Sequence, residues 1–90
     1  MEEKPRILSA GDQAILIEFG KQIAPEVNRR VQAFAGKAVQ KKIRGVGELV
    51  PSYCTLLIYF DPFLLTFEQI SDWAQGLLAT RLEGEDSHSG

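Results

Sequence analysis

Ninety residues, 44% of them hydrophobic, make one small domain with a core of marginal size. A formal net charge of −2 excludes a general electrostatic pull toward nucleic acid, and no apolar run is long enough to span a bilayer. The single cysteine, Cys54, excludes an internal disulfide framework and a cysteine-based metal site.

The start, Met-Glu-Glu-Lys-Pro-Arg, has no apolar signal region. Together with one free thiol, this suits a domain of the reducing cytoplasm, with neither membrane nor nucleic acid as partner. Met1 to Lys4 reads as a frayed terminus. Arg6 to Ala10 is a short strand, with Ile7 and Leu8 as its apolar contacts. Gly11-Asp12 is a turn signal, because Gly permits positive φ and Asp bonds its own downstream backbone. Gln13 to Phe19 is a second strand, and the pair makes a hairpin.

Pro25 opens a helix, where its missing N–H costs nothing, and Glu26 suits the helix dipole. Val27, Val31, Phe34 and Ala38 recur at helical spacing as one apolar stripe. Arg29, Arg30, Lys37, Lys41, Lys42 and Arg44 form a mostly solvated basic set, and without interleaved aromatics it is no nucleic-acid surface. Gly36 either allows close packing on the sheet or weakens the helix, and Gly45 stops it.

Val46 to Val50 and Cys54 to Phe60 read as two strands joined by a tight Pro-Ser connection. Pro51 belongs at a strand end, and Asp61-Pro62 stops the second strand. This is the most apolar stretch of the chain, so the hairpin is expected in the middle of the core. A second helix is expected from Phe67 to Leu82, opened by a Thr66–Gln69 capping box and a Leu65–Ile70 hydrophobic staple. Phe67, Ile70, Ala74, Leu77 and Leu78 should face the core, with Trp73 at its edge. Residues 1–82 form a single domain, and 83–90 read as a disordered polar tail.

The order strand, strand, helix, repeated, predicts an α+β two-layer sandwich: a four-stranded, mainly antiparallel sheet with two helices on one face. Val31, Phe34, Leu56, Ile58, Phe60, Ile70 and Leu77 should share its core.

No residue set amounts to an active site, so the domain is read as non-catalytic and without cofactor or metal. His88, the sole histidine, falls in the tail. Ser9 has no base near it in sequence. Gly45-Val-Gly47 leads into a strand, whereas a phosphate loop leaves one and opens a helix. Cys54 reads as a buried, inert thiol, and Asp12 and Asp61 as local backbone caps.

The strands carry apolar residues at both parities. Ile15, Ile17 and Phe19 alternate with Ala14 and Leu16, and Leu56, Ile58 and Phe60 alternate with Leu57 and Tyr59. Two helices cover one face of such a sheet, and a solvated second face should alternate apolar with polar. The second face is therefore expected to meet another domain, another copy of the chain or a partner. With Leu56, Ile58 and Phe60 inward, Leu57 and Tyr59 point outward, rimmed by Gly11-Asp12 and by Pro51-Ser52-Tyr53. These seven residues form the expected protein-binding site.

The stretches Ile-Leu-Ser-Ala-Gly-Asp-Gln-Ala-Ile-Leu-Ile-Glu-Phe-Gly (7–20), Pro-Glu-Val-Asn-Arg-Arg-Val (25–31) and Gly-Val-Gly-Glu-Leu-Val-Pro-Ser-Tyr-Cys-Thr-Leu-Leu-Ile-Tyr-Phe-Asp-Pro (45–62) resemble the N-terminal domain of the KipI/PxpB family, also called allophanate hydrolase subunit 1. The resemblance implies a DCoH-like β-β-α-β-β-α fold and a cyclophilin-like second domain. The family's Val-Pro-x-Cys-Tyr-Gly-Gly passage into that second domain is absent, so the chain is expected to be an excised or truncated first domain. Position 54, often arginine in the family, is Cys54 here. Two roles follow from the resemblance. One is a subunit of an ATP-dependent 5-oxoprolinase, with KipA/PxpC-like and PxpA-like subunits as partners. The other is an antikinase that binds a sporulation sensor histidine kinase and blocks its autophosphorylation.

Overall fold

The computed structural model describes residues 4–79. Six elements follow in chain order: β1 (Arg6–Ser9), β2 (Ala14–Glu18), α1 (Pro25–Gln40), β3 (Val46–Pro51), β4 (Thr55–Phe60) and α2 (Phe67–Ala79). The strands form one antiparallel sheet in the order β1-β2-β4-β3. Both helices bury their apolar stripes with one parity of that sheet, giving the two-layer α+β sandwich expected from the order of elements. The expected last turn of α2, residues 80–82, lies outside the described residues, as do Met1, the 83–90 tail and His88.

The inner strands β2 and β4 supply the centre of the core. Ile15, Ile17, Leu56 and Ile58 are fully buried, and Val31 of α1 and Ile70 of α2 close over them. Phe19 and Phe34 meet at a ring separation of 5.6 Å, tilted by 59°. All seven residues expected to share the core are buried. The ladder runs one residue past the ends of β2. The Phe60 N–H donates to Gln13 O at 2.8 Å, and the Phe19 N–H donates to Cys54 O at 2.8 Å.

The hairpin expected at the centre is only half central. Strand β4 is interior, but β3 is an edge. Pro51 has no N–H to offer a further neighbour. A bulge also interrupts the strand, because Val46 pairs with Phe60 while Leu49 pairs with Ile58, one residue too many. A Cβ on Gly47, inside that bulge, would stand 3.3 Å from Tyr59 O. Bulge and proline together suit an edge that does not template further pairing.

Helix α1 buries Val27, Val31, Phe34 and Ala38, the stripe read from the sequence, and starts with Pro25 in its first turn. Gly45 ends the passage from α1 at φ +102°, and a Cβ there would lie 2.8 Å from Leu65 Cγ, so both its conformation and its space exclude a side chain. Helix α2 carries the capping box: the Gln69 N–H donates to Thr66 Oγ1 at 3.1 Å, and the Thr66 N–H donates to Gln69 Oε1 at 2.9 Å. Leu65 and Ile70 are both buried, as a staple requires. Phe67 departs from expectation. It is the first residue of α2, is 40% exposed, and lines a recess with Ser9, Gly11 and Asp12.

Part of the basic set is structural. The Lys37 ammonium donates to Leu77 O at 3.0 Å, and the Arg30 guanidinium donates to Phe19 O at 3.2 Å. Trp73, half-buried at the edge of the core, donates its indole N–H to Lys41 O at 3.0 Å. Cations and an indole thus serve carbonyls near the C-terminal ends of α2, β2 and α1.

Replacing Phe34 or Phe60 by Ala should destabilise the domain by about 3–5 kcal/mol. A melting point within a few degrees of the parent in chemical or thermal unfolding would contradict the packing described. Gly36 is exposed, with no neighbour within 4 Å of an added Cβ, which removes close packing as its reason. Gly36→Ala should therefore stabilise the domain by about 1 kcal/mol, read from the denaturation midpoint.

Candidate functional site

The register assigns the outward face of the sheet residue by residue. Leu8 pairs with Leu16, Leu16 with Leu57, and Leu57 with Val50. Directly opposed residues in an antiparallel sheet share a face. These four side chains therefore form one apolar row across all four strands, on the side away from the helices. Leu8, Leu16 and Leu57 are half-buried and Val50 is 41% exposed. One row away, Arg6 pairs with Glu18 and Glu18 with Thr55. There Nε of the exposed Arg6 lies 3.7 Å from Oε1 of the half-buried Glu18, and the pair frames the apolar row with polar side chains. On the other side Ala14 pairs with Tyr59, which is 41% exposed while Ala14 is buried.

Leu57 and Tyr59 thus stand on the outer face, and Leu56, Ile58 and Phe60 on the helix side. The turns expected to rim the face lie at its two opposite ends. Pro51, Ser52 and Tyr53 adjoin Thr55, whereas Gly11 and Asp12 adjoin Ser9 and Ala14. Four residues of β4 separate the two ends, about 13 Å at 3.3 Å per residue. The turns are therefore not brought together, and the apolar row runs between them.

Each rim is held by the backbone. The Ser52 N–H donates to Thr55 O at 2.8 Å, presenting Tyr53, 63% exposed, at the tip. The Asn28 amide of α1 reaches both Ser52 O and Tyr53 O at 3.4 Å. At the other end Gly11 has φ +83°, and the Ala10 N–H donates to Ala14 O at 3.0 Å. That backbone bond, rather than the Asp12 carboxylate, closes the turn. Asp61 is the local cap expected of it: its Oδ1 accepts the Phe63 N–H at 2.9 Å. Cys54 is half-buried rather than fully buried. It stands just before β4, next to the exposed turn residues Ser52 and Tyr53, and its thiol donates to Gln22 O at 3.2 Å.

Reasoning from the sequence missed Leu8 and Val50 as members of the face. The signal was present only indirectly: counting by twos from Leu57 needs the strand pairing before it reaches β1 or β3. Phe63, exposed at 96%, was missed as well, since a loop residue has no periodicity to assign it. Among the described residues no group of three His, Cys, Asp or Glu could hold a metal ion, and no helix is long and apolar enough to cross a membrane.

The fold recurs in known proteins. The chain is 35% identical to a conserved uncharacterized protein from Pyrococcus horikoshii, with a TM-score of 0.78 over 82% of this chain and 34% of that one. It is 27% identical, with a TM-score of 0.71, to the N-terminal domain of the histidine kinase inhibitor KipI from Bacillus subtilis, over 84% of this chain and 85% of that one. Among curated proteins it is similar to a 5-oxoprolinase subunit of Bacillus subtilis, the one of B type, at 30% identity over 63 residues. That match takes in 70% of this chain and 26% of the relative, so it spans about a quarter of the relative's length. The family model for the carboxyltransferase domain, subdomain C and D, matches residues 5–90, and the chain belongs to that family.

Proposed function

We propose that the chain is a non-catalytic protein-binding domain, docking through the open face of its sheet, and that it serves within a subunit of an ATP-dependent 5-oxoprolinase. The observation that carries this reading is the apolar row Leu8–Leu16–Leu57–Val50, with Tyr59 beside it. An apolar centre with an aromatic neighbour and a polar frame is the anatomy of a docking surface. The 30% identity to the B-type 5-oxoprolinase subunit supports the choice of complex. Its partners would be KipA/PxpC-like and PxpA-like subunits, with a cyclophilin-like domain of the longer relatives as a further neighbour.

A second reading has its own support. The likeness to the KipI N-terminal domain extends over 85% of that chain, which makes the two domains counterparts in size as well as fold. On this reading the same face serves an antikinase that engages a sensor histidine kinase. The non-catalytic assignment rests on the side chains. The Ser9 hydroxyl is turned to Gly11 O at 3.4 Å and the Cys54 thiol to Gln22 O, at opposite ends of the sheet and without a base beside either.

Amide-shift titrations of the labelled chain decide between these. The titrants are a C-type 5-oxoprolinase subunit, the dimerisation helices of a sensor kinase, and a detached cyclophilin-like domain. Shifts at Leu8, Leu16, Leu57 and Tyr59 are expected, with Leu57→Lys weakening binding at least about tenfold at unchanged fold. Shifts confined to the outer surfaces of α1 and α2 would refute the sheet face. Shifts with the detached domain alone would reduce the face to an intramolecular contact. The purified chain should neither hydrolyse 5-oxoproline nor turn over ATP, and measurable turnover of either would overturn the non-catalytic assignment.

A further inference from the structure

The two edges of the sheet are built differently. Along β3 the outward backbone is closed. The Ser52 N–H donates to Thr55 O at 2.8 Å, so the hydrogen-bonding groups of Val50 and Ser52 turn to β4 and those of Leu49 and Pro51 turn out. Pro51 has no N–H to give there, and the bulge interrupts the strand upstream of it.

Along β1 the outward backbone is open. The Ala10 N–H donates to Ala14 O at 3.0 Å, one pair beyond Ser9 and Ile15. Hydrogen-bonded pairs alternate along an antiparallel ladder, so Leu8 and Arg6 exchange bonds with Leu16 and Glu18. The N–H and C=O groups of Ile7 and Ser9 therefore point away from β2, and among the described residues no strand lies beyond them. The bonds from the Phe60 N–H to Gln13 O and from the Phe19 N–H to Cys54 O fix the same phase from the other side of β2. The open stretch is short. Pro5 precedes it without an N–H, and Gly11, at φ +83°, turns the chain away after it.

We propose that β1 pairs antiparallel with β1 of a second copy of the chain, across a two-fold axis at Leu8. Ile7 of each copy then meets Ser9 of the other, and every outward N–H and C=O of both residues gains a partner. An axis at Ile7 would set Ser9 against Pro5, which has no N–H, and an axis at Ser9 would set Ile7 against Gly11, already in the turn. With the axis at Leu8, the two Leu8 residues form a non-hydrogen-bonded pair, the closer of the two kinds. Leu8 ends the row Leu8–Leu16–Leu57–Val50, so the row runs unbroken into the second sheet. A foreign strand would find only the window Ile7–Ser9, whereas a second copy brings a matching apolar row to it. Charge does not oppose the pairing. Arg6 stands opposite Ala10 of the second copy, and its Nε already lies 3.7 Å from Glu18 Oε1. The contact is short, so association is weak.

Sedimentation equilibrium of the 90-residue chain up to about 1 mM tests this, and the parent should dimerise. Ser9→Pro removes an outward N–H and leaves the β1–β2 bonds of Arg6 and Leu8 in place. It should raise the dissociation constant at least about tenfold, whereas Ser9→Ala, which loses only the hydroxyl, should match the parent. Leu8→Lys and Leu8→Glu each set like charges at the axis and should be monomeric alone, and their equimolar mixture should form heterodimers. Circular dichroism melting checks that each variant is folded, and the charge pair decides if Ser9→Pro does not fold. In a mixture of isotope-labelled and unlabelled parent, a filtered NOE should link the two Leu8 Hα atoms, whose Cα atoms stand about 4.5 Å apart in such a pair. Leu57→Lys, on the open sheet face, should leave the dimer intact, so this contact and the proposed function fail independently. A monomer throughout overturns the proposal and leaves the edge to a foreign strand. So does a dimer indifferent to Ser9→Pro, a charge mixture that stays monomeric, or a dimer without the Leu8 NOE.

Discussion

The pairing of β2 with β4 is the constraint on which the rest of this domain depends. It joins two hairpins that are otherwise separate, and it sets Ile15 opposite Ile58 and Ile17 opposite Leu56. All four are fully buried, so the pair forms the floor of the core. Because side chains alternate along a strand, slipping this register by one residue would turn buried residues toward solvent and bring Leu16, Leu57 and Tyr59 under the helices. Packing under α1 and α2 thus holds the register, and the register in turn decides what the outer face displays.

That coupling ties the core to the outer face. The helix layer can cover only one side of a four-stranded sheet, and α1 and α2 do so with Val31, Phe34, Ile70 and Leu77. The opposite side keeps an uninterrupted apolar row. A solvated antiparallel face would normally alternate apolar with polar along each strand, which Glu18 and Thr55 do and Leu16 and Leu57 do not. The departure is local, so the apolar row is narrow and polar side chains flank it.

The ends of the elements show a second economy, in which side chains complete backbone hydrogen bonding and tie layers at once. Lys37 serves a carbonyl of α2 from α1, Trp73 serves one near the end of α1 from α2, and Arg30 serves one at the end of β2. Each net contribution is modest, about 1 kcal/mol for a hydrogen bond and somewhat more with a charged donor. Their effect is to fix how the helices sit on the sheet, and hence where the loops at its ends, Tyr53 on one side and Phe63 on the other, are held.

Local signals in the chain were enough for the order of elements, the apolar stripe of α1, the capping box at Thr66 and Gln69, and the members of the shared core. Each is readable at short range: a 3.6-residue period, a cap at fixed spacing, a run of β-branched residues. The motifs at 7–20 and 45–62 also pointed to the family that the comparison over residues 5–90 identified. Pairing and packing in three dimensions settled the rest. Strand order sent β3 to the edge, although its hairpin is the most apolar stretch, because order depends on pairing between distant segments. Phe67 has the spacing of a core residue and yet, at the first position of α2, is 40% exposed. The outer row recruits Leu8 and Val50 through register alone, and the two rims of the face stand about 13 Å apart because a strand of fixed rise separates them. Period two specifies which residues share a side, and it takes the docking of helices to choose which side is inside.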